Sequence, residues 1–166
     1  METVYVWKKI IAILLMFSLI SCNSISVSAA KTNIYVNARF CYSVQYPAFY
    51  KQSKRLPDNG DGITMAGKRS SLLLYGEYAV LYMTPKEMKK YVKKNKKRNE
   101  KISDTKTTKK SLYYETKTKK KISFNYHYFR KDSSIVSMNL TCPKSTKKYY
   151  KKIAKKIMRS ISNRND

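Results

Sequence analysis

KISFNYHYFR (residues 121–130) and SIVSMNLTC (residues 134–142) are two runs in which apolar and polar side chains alternate. Successive side chains of a β-strand point to opposite faces of the sheet, so each run predicts a strand. In the first run the apolar positions are Ile122, Phe124, Tyr126 and Tyr128, and the polar ones are Ser123, Asn125 and His127. Lys131-Asp132-Ser133 joins the runs as a reversal. The two runs predict an antiparallel pair with one wet face.

The flanking segments extend this sheet. Ile34–Tyr46 is predicted as one strand, ended by Pro47 because proline cannot donate a ladder hydrogen bond. Ile63–Met65 and Ser70–Tyr75 predict a hairpin. The remaining strands are predicted at Ile102–Thr108, which is the weakest, and at Ser111–Thr116, which Thr118-Lys119-Lys120 would link to the central pair.

Two helices complete the pattern. Thr84-Pro85-Lys86-Glu87 is typical of a helix start, with threonine at the cap, proline in the first turn and glutamate completing a capping box. This helix is predicted to end near Arg98 and to present Met88, Tyr91 and Val92 on one face.

A second helix is predicted from about Ser145 to Ile161. Its apolar stripe consists of Tyr149, Tyr150, Ile153, Ile157 and Ile161, with lysines on the other side. The whole order predicts an α+β domain, with a mostly antiparallel sheet and two packed amphipathic helices.

NARFCYSVQYP (residues 37–47), DNGDG (residues 58–62) and Leu74-Tyr75-Gly76 resemble segments of PsbP-like (PsbP/Mog superfamily) bacterial extracytoplasmic domains. The order of elements and the final helix also fit, so the resemblance covers Ile34 to Ile161. It implies a PsbP-like fold and a non-catalytic binding or assembly module. Cys41 stands where such strands usually carry glycine, and the lysine content is heavier than the pattern requires.

The N-terminus reads as an export signal. Lys8-Lys9 precedes the apolar run Ile10–Ile20, which is too short to span a bilayer. Leu19-Ile20-Ser21-Cys22 resembles a lipobox, in which Cys22 would be the lipidation site and the new N-terminus. The alternative is ordinary secretion with cleavage after Ala29 or Ala30.

These features divide the chain. We predict a signal peptide over residues 1–21 (alternatively 1–29 or 1–30), a tether over 22–33, a single domain over 34–162 and a tail over 163–166. The protein is accordingly expected on the outer face of the bacterial cytoplasmic membrane as a lipoprotein, or in the medium as a secreted protein.

Cys41 and Cys142 are the two cysteines beside the predicted anchor. An exported protein can form a disulfide. Strand alternation, however, places Cys41 on the polar face of its strand and Cys142 on the apolar face of another, and such a pair cannot be bridged unless a strand end bends. The sequence leaves both a Cys41–Cys142 disulfide and two free thiols open.

No reaction is indicated by the sequence. His127 is the only histidine, and its place among polar strand positions predicts a surface residue rather than a general base. One histidine and two separated cysteines lack the spacing of a zinc ligand set, so no metal and no cofactor is expected. We predict no catalytic residue.

Charge is the strongest remaining signal. The 166 residues contain 36 Lys and Arg against 10 Asp and Glu, a net charge of +26. Loss of residues 1–21 would lower it by one unit, because only Glu2, Lys8 and Lys9 are charged there. Basic surfaces bind phosphate polymers by releasing counterions. The lysines predicted to bind polyanions are Lys89, Lys90, Lys93, Lys94, Lys97, Lys148, Lys151, Lys152, Lys155 and Lys156.

Three functions follow from these observations. The first is an envelope-associated, non-catalytic module that docks on anionic envelope polymer or lipid headgroups. The second is a secreted protein that binds nucleic acid non-specifically through the same charges. The third, the weakest, is a small exported hydrolase that uses His127. A dispersed, solvated lysine coat without a ligand is the alternative to both polyanion functions, and the sequence does not indicate an oligomeric state.

Overall fold

The computed structural model describes residues 31–53, 60–79 and 84–164. The predicted signal peptide, Cys22 and most of the tether lie outside these residues. The described strands are β1 (Thr32–Asn37), β2 (Tyr42–Pro47), β3 (Lys51–Gln52), β4 (Gly62–Gly67), β5 (Ser70–Tyr78), β6 (Lys101–Thr107), β7 (Ser111–Lys117), β8 (Lys121–Phe129) and β9 (Ser134–Pro143). The described helices are α1 (Pro85–Lys94) and α2 (Lys147–Arg164), the latter preceded by a 3₁₀ turn at Lys144–Thr146.

Strands β3 to β9 form one antiparallel sheet in the order β3-β4-β5-β9-β8-β7-β6. The two alternating runs are β8 and β9, which pair near its centre, with Phe124 opposite Leu140 and His127 opposite Ser137. The predicted reversals and the β4–β5 hairpin are also present. The predicted α+β fold class is therefore confirmed.

One face of the sheet packs against α2. Tyr150, Ile153, Ile157 and Ile161 of the predicted stripe are buried there, while Tyr149 is exposed. They join the apolar positions of β8 and β9 in one core. Each fully buried aliphatic or aromatic side chain stabilises the fold by about 1.5–3 kcal/mol relative to an exposed one, so this layer fixes where α2 lies.

The single strand predicted over Ile34–Tyr46 is wrong: the segment is the hairpin β1–β2. Asn37 turns the chain, because its Oδ1 accepts a hydrogen bond from the Phe40 amide at 2.9 Å. Cys41 then adopts a left-handed backbone with φ of 47°, a conformation that favours glycine.

The turn between β1 and β2 contacts the other two segments of the resemblance. A Cβ on Gly76 would lie 2.5 Å from the Phe40 ring, so only glycine lets this ring pack on β5. Asn37 Nδ2 donates to the Gly60 carbonyl at 2.9 Å, and Arg39 pairs with Asp61 at 2.7 Å. The three segments therefore make one contact region.

Helix α1 begins as predicted and ends early. Thr84 and Glu87 form the expected capping box. The helix stops at Lys94, four residues before Arg98, and Asn95 caps it, with its side chain donating to the Tyr91 carbonyl at 3.0 Å. Helix α1 contacts β6 and β7 beside Leu112 and Tyr114, whereas α2 contacts Tyr113 and Glu115. Because these two pairs of residues alternate along β7, the two helices pack on opposite faces of the sheet.

Candidate anion-binding groove

A basic groove of about 590 Å³ lies between α1 and the turn that joins β6 to β7. Its wall is made of five lysines and two threonines, and no acidic side chain lines it among the residues that the structure describes. The lining residues are Lys86, Lys89, Lys90, Lys93, Thr107, Thr108 and Lys109.

Helix geometry puts four of these lysines on one side. Residues three, four and seven positions apart are neighbours on a helix surface, which aligns Lys86, Lys89, Lys90 and Lys93. The capping box fixes the start of α1, and Val92 packs towards Ile102 and Leu112 on the sheet. The same pattern that caps the helix and turns Val92 towards the sheet therefore aligns its lysines along the groove.

The opposite wall is a rigid turn. Thr108 Oγ1 accepts hydrogen bonds from the Lys110 amide at 3.2 Å and the Ser111 amide at 2.9 Å. Lys109 lies within this turn, so its side chain leaves the turn towards the groove while the Thr108 hydroxyl stays engaged. Lys109 also borders a neighbouring hollow of about 300 Å³, whose wall includes Lys131.

The arrangement suits phosphate. A lysine ammonium is a compact charge with three donors, and it binds phosphate oxygens without demanding one geometry. Among the described residues that line the groove, lysine is the only charged side chain, so the groove offers ammonium groups that can hold an anion.

The structure gathers three of the ten predicted lysines into this groove, namely Lys89, Lys90 and Lys93. Lys94 and Lys97 are exposed at and beyond the C-terminal end of α1 and do not line it. The members on α2 lie on the other side of the sheet, where Lys148, Lys152, Lys155 and Lys156 are exposed. The two lysine-coated helices are therefore separate surfaces.

Lys151, expected among the polyanion-binding lysines, forms ion pairs with residues of this protein, although 31% of its side chain is exposed. Its Nζ lies 2.9 Å from Glu115 Oε1 and also pairs with Asp104. Lys147 Nζ lies 2.9 Å from the other Glu115 oxygen, and Tyr113 donates to Glu115 at 3.0 Å. Glu115 is fully buried, so these cations compensate a carboxylate within the fold. The bond with Asp104, and then the one with Glu115, raises the pKa of Lys151.

His127, expected at the surface, is also buried. Its ring stacks on Tyr114 with centroids 5.8 Å apart, and its Nδ1 lies 2.8 Å from Ser137 Oγ. Ser137 in turn donates to Glu77 at 3.2 Å. Burial lowers the pKa of His127 to about 4. The serine lies between acid and imidazole, unlike a nucleophile–histidine–acid relay, in which the histidine is central.

A polar cleft of about 270 Å³ lies on the same sheet face, beside the C-terminal end of α1. Its amides bind one another: Asn139 Nδ2 donates to Asn125 Oδ1 at 2.6 Å, and Thr141 donates to Asn139 at 3.0 Å. The hydroxyl oxygens of Ser123 and Thr141 lie 2.7 Å apart and share a hydrogen bond. These groups are therefore largely satisfied by each other.

The Cys41–Cys142 disulfide is not formed. Cys41 is an exposed free thiol in the β1–β2 turn, and Cys142 is a buried free thiol in β9. Burial raises the pKa of the Cys142 thiol, which makes it a poor nucleophile.

Neither a metal centre nor a membrane-spanning helix is found in the described ranges. There, no cluster of three or more His, Cys, Asp or Glu side chains could hold a metal ion. No helix in the same ranges is both long and apolar enough to cross a bilayer.

Sequence reasoning missed Lys109 and Thr107 as groove residues. Nothing local marks them, because they meet α1 only through the packing of the helix across β6 and β7. Lys86 could have been predicted from helix spacing, because it lies three positions from Lys89 and seven from Lys93 and so shares their helix face.

No protein-family model matches the chain, and no curated protein matches it. Solved structures do match the chain in fold. The solution structure of the cyanobacterial PsbP protein CyanoP from Synechocystis sp. PCC 6803 superposes with a TM-score of 0.55 at 10% identity, covering 81% of this chain and 94% of that one. The crystal structure of the Saccharomyces cerevisiae Ran-binding protein Mog1p gives 0.55 at 9% identity, with 80% and 95% covered. At such identities the likeness concerns the fold alone, and the described domain has a PsbP/Mog1-like fold.

Proposed function

We propose that this chain is a non-catalytic, exported module of the bacterial cell envelope whose basic groove binds the phosphate groups of an anionic envelope polymer. The observation that carries the proposal is the convergence of five lysines on one groove whose described lining contains no acid. Lipid headgroups offer the same phosphate chemistry. A chain-like polymer enters a concave groove, however, while a bilayer presents its phosphates as a flat layer.

The charge of the whole chain supports the same partner. A net charge of +26 attracts polyanions over long range before any contact forms. The groove then supplies the contact, because five lysines line it and phosphates that bind them displace counterions. The hydroxyl of Ser137 and the imidazole of His127 are buried, which favours a binding role over catalysis.

The test compares two triple variants of the purified exported chain. K89Q/K90Q/K93Q removes three charges from the groove, and K148Q/K152Q/K155Q removes the same charge from α2. Affinity for poly(glycerol phosphate) is measured by titration across a range of salt concentrations. We expect the groove variant to bind at least about tenfold more weakly, with a salt slope that falls by roughly one for each phosphate it no longer binds. The α2 variant should stay close to wild type.

Equal losses of affinity in the two variants would contradict the proposal, because they would mean that only net charge matters. Single-stranded nucleic acid is the competing ligand in the same assay. If it displaces poly(glycerol phosphate) at much lower concentration and depends on the same three lysines, the nucleic-acid function replaces the proposed one.

A further inference from the structure

A pair of aromatic rings is exposed on the α2 side of the domain. Phe49, after β2, is 40% exposed, and Tyr149, in the first turn of α2, is 58% exposed. The ring of Phe49 lies 4.6 Å from that of buried Tyr50, and the ring of Tyr149 lies 5.0 Å from that of buried Tyr150. Tyr50 and Tyr150 belong to the same hydrophobic core. The two exposed rings therefore border one anchored cluster.

Exposed cations occur in the segments that carry these rings. Phe49 packs on Gly67, whose turn continues into the exposed residues Lys68 and Arg69. Lys51 follows Tyr50 directly. On α2, the exposed arc that begins at Tyr149 carries Lys148, Lys152, Lys155, Lys156 and Arg159. Neither α2 nor the segments 48–53 and 66–70 contain an acidic residue.

The N-terminal chain enters the domain at the same place. The Lys31 carbonyl accepts a hydrogen bond from the Ala48 amide at 2.8 Å, next to Phe49. Cys22, the predicted lipidation site, precedes Lys31 by nine residues, and a segment of that length spans at most roughly 30 Å. An anchored chain would hold this face near the bilayer.

We infer that the face formed by Phe49, Tyr149 and their flanking cations is a membrane-docking surface, and that its occupant is a bilayer containing anionic lipid. Aromatic rings with one apolar and one polar side settle at the level of the headgroups, and adjacent lysines are attracted to anionic lipid. This surface lies on the opposite side of the sheet from the groove, so the inference does not depend on the proposed function.

The experiment uses the full exported chain carrying Cys22→Ser, so that no acyl chain contributes. Partition onto phosphatidylglycerol/phosphatidylcholine vesicles is measured by sedimentation, with phosphatidylcholine vesicles as the neutral reference. F49S/Y149S removes the two rings, and Y78S removes a comparably exposed ring at the far end of β5. We expect the double variant to lose about tenfold in partition and Y78S to change less than twofold.

A second variant covers the case in which F49S/Y149S fails to fold. K148E/K152E reverses two exposed charges on the same face and should abolish the preference for anionic vesicles, whereas K89Q/K90Q/K93Q should retain it. The inference is overturned if the Cys22→Ser chain does not bind anionic vesicles, if F49S/Y149S and Y78S bind equally, or if the groove variant loses the vesicles instead.

Discussion

The buried imidazole of His127 predicts a specific loss of stability in acid. Its side chain is 7% exposed, stacked on Tyr114 and beside Ser137, and its Nε2 has no hydrogen-bond partner among the described residues. Burial therefore lowers its pKa from 6.5 to about 4 in the folded protein. In the unfolded chain the imidazole takes up a proton at its ordinary pKa.

The direction in which pH changes the unfolding free energy depends on which state, folded or unfolded, binds the proton. Between the two pKa values the unfolded chain is protonated and the folded one is not, so acid favours unfolding. The stability is fully present above pH 6.5 and is lost as the pH falls through 6.5 towards about 4. At about 1.4 kcal/mol for each pH unit, the loss is about 3 kcal/mol. Burial raises the pKa of Glu77, which acts in the opposite sense.

The assay is urea unfolding of wild type and His127→Asn at several pH values between about 7 and 4. Asparagine does not titrate, and the other groups, Glu77 included, are common to both proteins. The difference in unfolding free energy between the two should therefore narrow by about 3 kcal/mol as the pH falls. Parallel profiles, or an imidazole that titrates near its ordinary pKa in the folded protein, would show that burial does not keep His127 neutral.

Three further predictions concern other buried or fixed groups. Glu115→Gln removes the carboxylate that two lysines of α2 compensate, and should cost about 3 kcal/mol of unfolding free energy in urea; a variant as stable as wild type would contradict this. Cys41 should react with a thiol reagent in the folded protein and Cys142 only after unfolding, as mapped by peptide mass; equal rates would disprove the burial difference. Thr84→Ala removes the α1 cap and should cost about 1 kcal/mol, measured by urea unfolding; an unchanged midpoint would show that the cap is dispensable.

Much of the fold can be predicted from the alternation of apolar and polar residues along short segments of the sequence. The alternation in residues 121–142 predicts β8 and β9 because one of their faces packs on α2. The hairpin at Asn37 escapes the same reasoning, because apolar residues keep alternating through Phe40 and Tyr42 across the turn. Cys41 adopts its left-handed backbone without being a glycine, so the usual turn signal is missing.

The groove was only partly predictable. Helix spacing identifies the lysines of α1, but Lys109 reaches them through contacts distant in sequence. Lys151 shows the converse: its place among exposed lysines suggests a free cation, and only the register of α2 over Glu115 shows that it is engaged. His127 likewise sits among polar positions, and its burial depends on Tyr114 from a neighbouring strand.

Binding of a phosphate polymer in the α1 groove can be followed residue by residue through the backbone amide NMR shifts of the exported chain during titration with poly(glycerol phosphate). We predict that the shifts concentrate at Lys86–Lys93 and Thr107–Lys109 and saturate together. Shifts that concentrate on α2, or that spread evenly over all exposed lysines, would contradict the claim.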